Sequence, residues 1–559
     1  MAVNFRRTWM ACAALALSLT LSGCFEPAEP STPPTTDTAA RFLNMTTFGA
    51  TQADVDKLVA LGYEGWLNEQ FAATPIDTHY GYADRGGPPD CAVCPAEAIG
   101  GVIDSFWYQA IKSPDQLRQR VALAWLELFV VSAATDSAIE LEPYAMAAYL
   151  DLLSRNAFAN YRQVLEAVTL SPAMGHYLSH MQNDKEDPAT GRLPDENYAR
   201  EVMQLFTIGK WMLNTDGTRM TDGNGNPIPT YSQADVMGLA KVLTGWSWGG
   251  PDTSEERWVG GPINFAMARS WELPMQPYPQ HHSTSEAQIV GGVTIPANTS
   301  APDSLKIALD TLFNHPNAGP FIATHFIKRL TTSNPSPEYV ARVAAVFNAN
   351  KANERGNMQS VIRAVLFDPE VWDGRHLTSP TWGKPREPIV KAAQLVRGLS
   401  CRSSSGMYPL GTLQATNYDL GQAPLMSNSV FNFFLPDHQP QGELSNLNLS
   451  APEFQIANDN TTIGHLNYMW SLLGFGLTTN QNSLVCDYSA FTPLASQPDA
   501  LIDALVNRFV GAPISAQGRQ TIKDGITSIA DNGTVAAREN RVKTALLLLA
   551  STPEFNVQR

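Results

Sequence analysis

LPDENYAREVMQLFTIGKWMLN at residues 193–214 and YSQADVMGLAKVLTGWSW at residues 231–248 flank TDGTRMTDGNGNPIPT at residues 215–230. In the outer pieces apolar residues recur at intervals of three and four, which predicts two amphipathic helices joined by a turn-rich loop. Pro194 with Asp195 reads as a helix start and Gly209 as a stop. At roughly 100° per residue, Asn197, Arg200, Glu201 and Gln204 share a sector about 100° wide beside a core face of Tyr198, Val202, Leu205 and Phe206. Glu196 precedes Arg200 by one turn, the favourable order for an intrahelical ion pair. Two readings of this polar stripe stand side by side. It is a solvated face carrying one salt bridge, or it is a buried polar network or active-site wall with Glu201 as acid, base or ligand. In the loop, Asp222, Asn224 and Asn226 alternate as at the start of a calcium loop. Pro227 occupies the position that needs glycine and no Glu closes the loop, so a plain turn is expected there.

Working outward, helical periodicity fills most of the chain. TQADVDKLVALGYEGWLNEQFA is expected to be capped by Thr51 and SPDQLRQRVALAWLELFVVS by Ser113. Further helices come in FIATHFIKRLTT, SPEYVARVAAVFNAN and GKPREPIVKAAQLVRGL. The fold class is therefore mainly α, a large multi-helix assembly with long irregular loops and a small β-hairpin expected in Gln288 to Ile295. Residues 39–559 form the helical domain, with an irregular insertion at 249–296 and a C-terminal helical subregion at 498–559. The segment LGQAPLMSNSVFNFFLPDHQPQG, with three phenylalanines close together, reads as a loop pinned into the core by its aromatic rings.

Residues 1–23 hold Arg6 and Arg7, an apolar run and then small residues, the pattern of a secretory signal too short to span a membrane. Leu21-Ser22-Gly23-Cys24 resembles the lipobox of bacterial lipoproteins, which implies lipidation of Cys24 and, with Phe25 next, an outer-membrane destination. Residues 24–38 are rich in Pro, Ser and Thr and are expected to form a disordered tether. Cys91, Cys94, Cys401 and Cys486 remain, and an even number in an oxidising compartment suggests two disulfides, a local Cys91–Cys94 bridge and a long-range Cys401–Cys486 staple. A redox or metal-binding CxxC is the rival reading of the first pair. The formal charge of −15 argues against nucleic acid and against an anionic lipid surface as partners, and lends no support to a polyanionic glycan, although a local basic pocket is compatible with it.

ARFLNMTTFGAT, DENYAREVMQLFTIG, YSQADVMGLAKVLTGW, FIKRLTTSNPSPEYVARVAAVF, LGQAPLMSNSVFNFF and the terminal TPEF resemble the bacterial family known as domain of unknown function 1800 across nearly the whole chain. The resemblance implies a secreted or envelope protein. It also implies a partner in a second family, domain of unknown function 1501, whose fold is similar to sulfatases. It brings no established reaction. The chain departs from the family pattern at Asp195, where Asn is usual, and after His282, where Ser283 stands in place of Asp.

No GxSxG, HExxH, P-loop or dinucleotide fingerprint names a chemistry, so no cofactor and no metal is expected. The leading expectation is an envelope-anchored scaffold or binding partner for an envelope protein or glycan, with Asn197, Gln204, Trp246, Trp248, His281 and His282 as candidate binding residues. The alternative is an extracytoplasmic hydrolase acting on polysaccharide, with Glu201 as acid or base, Asp235 as second carboxylate and Arg200 beside them. Glu196 is unsuitable as that partner, because five residues along one helix turn it about 140° away from Glu201.

Overall fold

A computed structural model describes residues 27–89, 98–134, 139, 142–260, 268–408, 410–411, 413–417, 419–479 and 482–559. The signal sequence with Cys24, and the Cys91/Cys94 pair, lie outside the described residues. The architecture is mainly α, with short antiparallel two-stranded pieces and one three-stranded sheet. The first helix, Thr36–Thr46, begins inside the stretch expected as tether, because the Thr35 and Thr38 side chains cap one another's backbone. Thr51 caps the next helix, Gln52–Ala72, reciprocally with Asp54. Ser113 does not cap the helix Gln116–Leu128. Its hydroxyl donates instead to Asp115, the residue at the cap position.

The expected hairpin is present, as strand Ala287–Ile289 paired antiparallel with Val293–Ile295. It packs closely on the helix Gln233–Val242, where a Cβ on Gly238 would meet the Gln288 carbonyl oxygen at 1.8 Å. A residue without a side chain is what lets strand backbone and helix backbone touch. Just before the 249–296 insertion, Trp246–Ser247 pairs with Gln276–Pro277 inside it.

Buried apolar side chains fall into two clusters. One runs from Ala39 to Trp382 and adds Leu425, and the other joins Ile103–Ile111 to residues from Ile389 to Phe555. The C-terminal helices expected as a subregion thus belong to a larger core that recruits the helix Ala98–Lys112. The Gln116–Leu128 helix serves both clusters, with Leu123 in the second and Val121, Ala124 and Trp125 in the first. The chain end ties them together as well, because Val557–Gln558 pairs with Lys384–Pro385 and Gln558 Nε2 donates to the Leu330 carbonyl at 2.7 Å. Cys401 and Cys486, both in the second cluster, are brought together in disulfide geometry with Cα atoms 3.8 Å apart.

Candidate functional site

The predicted stripe forms a helix only as far as Asn197–Glu201. Val202–Thr207 then continues as a π-helical turn, with the Ile208 and Gly209 amides both donating to the Met203 carbonyl, at 3.1 and 3.0 Å. A π-turn inserts extra backbone, so positions beyond it leave the 100° spacing assumed for the stripe. The stripe is therefore split, with a solvated part that carries the expected salt bridge and a buried Glu201. Asn197 is exposed, Arg200 and Gln204 are half-buried, and Glu201 is only 7% exposed. Arg200 pairs with Glu196 at 3.1 Å, and Gln233 of the helix Gln233–Val242 closes the bracket by donating to Glu196 at 2.7 Å.

Asn317, fully buried, clamps the backbone beyond the π-turn. Its Nδ2 donates to the Ile208 and Trp211 carbonyls, each at 2.8 Å, and its Oδ1 accepts from the Leu213 amide at 2.9 Å. The 215–230 loop then doubles back as a narrow ladder, Met212 to Ile228 and Ile228 to Met220. Asp222 folds its tip by accepting from the Asn224 and Asn226 amides, a turn as expected for a loop of this composition.

This ladder forms one wall of a cleft of about 510 Å³. Gln204, Lys210, Trp211 and Arg219 lie on that side, with Gln204 Oε1 accepting from the Tyr231 hydroxyl at 2.9 Å. Phe321, His325, Lys328 and Arg329 come from the helix Ala318–Leu330. Phe431, Phe434 and Leu435 come from the Phe-rich loop, which is both pinned, through Phe434 at 1% exposure, and open, through Phe431 at 45%. Ser132 and Ala133 hold this loop by bonding the Ser427 and Leu425 carbonyls at 2.6 and 2.7 Å.

Beneath the cleft runs a buried ionic chain that sequence reasoning missed. Arg329 Nε lies 3.3 Å from Glu127, and its guanidinium stacks over Phe434 at 4.9 Å. Glu127 is within hydrogen-bonding reach of Glu387, whose other contacts are Lys384 at 3.4 Å and Gln422 Nε2 at 2.8 Å. Lys384 reaches on to Glu453 at 3.3 Å. Burial, resisted by Arg329 and reinforced by the Glu387 charge, pushes Glu127 well above the usual carboxylate range. Against the cost of its own burial, Lys384, the Glu127 proton and Arg329 hold Glu387 well below that range. The two carboxyls are thus pushed in opposite directions, Glu127 upward and Glu387 downward. Burial also pushes His325 down to about 3, so its ring is neutral, with Nε2 donating to the Ala124 carbonyl at 2.7 Å. The signal in the sequence was charge at core phase: Glu127 inside AWLELFVV, and Arg329 in a helix otherwise apolar on that face.

The candidate residues do not gather in one pocket. Asp235 accepts from Ser232 N and Oγ, both at 2.7 Å, as the third helical residue of a capping box. No hydrogen bond or ion pair joins it to Glu201 among the described residues. Trp246 and Trp248 are buried, and Trp248 packs edge-on against Trp271 at 4.8 Å, so neither offers a face to a ligand. His281 stacks on Trp258 at 3.8 Å between Asp184 and Glu255, and buried His282 donates to the Thr244 carbonyl at 2.9 Å. Both histidines brace the insertion. Of the candidates, Gln204 alone lines the cleft.

Glu201 Oε2 is buried without a hydrogen-bond partner among the described residues. Burial raises its carboxyl above the usual range, while Arg200 and Lys210 pull it down. A raised folded value favours the protonated form in the native state relative to the unfolded chain, so this contribution is present at acid pH and is lost as pH rises through the raised value. Urea midpoints measured from acid to neutral pH are expected to show Glu201→Gln gaining on the wild type as pH climbs. A gap that stays constant with pH would refute the assignment.

The fold and the cleft define an α-helical protein with a mixed aromatic and cationic pocket above a buried ionic chain. The chain matches, over residues 41–557, the family model described as a protein of unknown function, DUF1800, and it belongs to that family. No curated protein and no solved structure matches it. No helix among the described residues is long and apolar enough to cross a membrane.

Proposed function

We propose that the protein is an envelope-anchored binding protein whose cleft takes an anion-bearing glycan. The observation that carries the reading is the meeting, in one cleft of an acidic chain, of Trp211, Phe321 and Phe431 with Lys210, Arg219 and Lys328. Ring faces supply contact area for a sugar, and the cations select for charge. Among the described residues the acidic side chains lining the cleft are Asp437 and Glu127, and Glu127 is already paired with Arg329 beneath it. The lipobox-like Leu21 to Cys24 supports the anchor.

Titration calorimetry with uronic-acid oligosaccharides and their neutral counterparts tests the reading. Trp211→Ala and Phe431→Ala are each expected to weaken binding of the acidic ligand about tenfold, a loss of about 1.4 kcal/mol. Glu201→Gln is expected to leave it unchanged. Equal binding of neutral and acidic sugars, or capture of a sulfatase-like partner protein through the same cleft with no sugar bound, would overturn it.

The hydrolase reading keeps one supporting observation, the upward push that burial gives the Glu201 carboxyl, which is the direction a general acid needs. Loss of glycan cleavage in Glu201→Gln, with affinity retained, would favour it.

A further inference from the structure

A second cavity, of about 280 Å³, lies under the helix Asp459–Phe475, on the opposite end of the ionic chain from the cleft. Its polar wall is built from Arg386, Lys391, Glu453 and His465, and its apolar wall from Leu420, Ile456 and Leu466. Among the described residues the polar wall is short of partners. Arg386 is buried, donates one terminal nitrogen to the Phe555 carbonyl and lies over that ring, but its Nε has no acceptor. No carboxylate pairs with Arg386 or Lys391 among the described residues, although Lys391 donates to Asn556 Oδ1 at 3.0 Å. Glu453 gives one oxygen to Lys384 and leaves Oε2 without a donor. Both ring nitrogens of His465 lack a hydrogen-bond partner of good geometry, with the Ala550 backbone beside the ring.

Buried charges and buried polar atoms without partners are costly, and a native fold keeps them where something supplies the missing contacts. Here the missing contacts have a pattern. Two cationic donors ask for an anion, and an acidic oxygen asks for a hydroxyl donor. The volume sits at the small end of ligand pockets.

We propose that this cavity binds a small hydroxy acid, its carboxylate held by Arg386 and Lys391 and its hydroxyl donating to Glu453. His465, neutral because burial pushes it down to about 3, completes the wall as a hydrogen-bonding group without adding charge. Burial beside Arg386 pulls the Lys391 ammonium down to about 8, so an arriving carboxylate restores its charge above neutral pH. The site is separate from the cleft and does not depend on what the cleft binds.

The test uses three matched probes with the purified chain, in thermal-shift and calorimetric titrations. Lactate carries carboxylate and hydroxyl, propionate lacks the hydroxyl, and propane-1,2-diol lacks the charge. Lactate is expected to raise the melting temperature saturably and to bind at least about tenfold more tightly than either analogue, because a site built for a hydroxyl rejects its absence. Lys391→Met is expected to reduce lactate affinity by a similar factor. Thr462→Trp, a change at an exposed position on the cavity rim, is expected to abolish the response while leaving the unliganded melting temperature unaltered. A lactate response that survives Thr462→Trp, equal binding of propionate, or no saturable response to any probe would each overturn the proposal.

Discussion

Replacing Lys384 with Met is expected to lower the free energy of unfolding by about 3–5 kcal/mol, the loss incurred when one member of a buried ionic group is removed. Lys384 is 2% exposed and sits between two carboxyls, Glu387 and Glu453, while also donating to the Arg329 carbonyl at 3.0 Å. Without the ammonium, Glu387 faces Glu127 and Glu453 with only Arg329 and Arg120 nearby to offset its charge. Removing the charges together is a different experiment. A Lys384→Met, Glu387→Gln, Glu453→Gln variant leaves neutral groups of similar shape and is expected to recover most of the loss. Urea denaturation of both variants at neutral pH checks the pair. If the single variant matched the wild type, the chain of charges would have no energetic role. Because this chain lies where the two apolar clusters meet, the single variant is also expected to broaden the transition as the clusters lose their common support.

Removing the Cys401–Cys486 link, by the double change to Ala, is expected to destabilise the chain by about 4 kcal/mol under oxidising conditions. The link joins positions 85 residues apart, and closing a loop of that length restricts the unfolded chain strongly. Both cysteines lie in the second cluster, at the ends of the short strands Arg402–Ser403 and Asn482–Val485 that pair with one another. Guanidinium denaturation with and without a thiol reductant provides the measurement. The wild type in reductant should lose about as much stability as the double change removes, and any response left in the double variant measures the local Cys91–Cys94 bridge expected from the sequence. A response in the double variant would place redox-sensitive stability on other cysteines.

Much of the helical framework was legible in the sequence because its determinants are local. The reciprocal caps Thr51/Asp54 and Ser232/Asp235 span three residues, and apolar spacing of three and four reports a buried helix face without any knowledge of what covers it. The hairpin at 287–295 belongs to the same class, since its two strands are separated by a glycine pair. The cap motif Ser232-x-x-Asp235 was itself visible, and it accounts for Asp235 more simply than a catalytic role does. The Cys401–Cys486 pairing came from compartment and parity rather than from any local pattern.

The cleft was not legible, for two physical reasons. Its charged floor draws Glu127, Arg329, Lys384, Glu387 and Glu453 from four separate segments, and only packing makes neighbours of them. A buried Glu in AWLELFVV announces that a partner must exist, but not which residue supplies it. The second reason is the π-turn at Val202–Thr207. Helical arithmetic from Asn197 keeps Glu201 and Gln204 on one face, whereas Glu201 is buried in the regular turn and Gln204, within the π-turn that leads to the Asn317 clamp, lies in the cleft wall. Local sequence dictates the helices, their caps and the family. Which polar residues share a cavity is settled by packing alone, because the energies that select a π-turn and pair buried charges come from side chains as remote in the chain as Asn317 is from Ile208, 109 residues away.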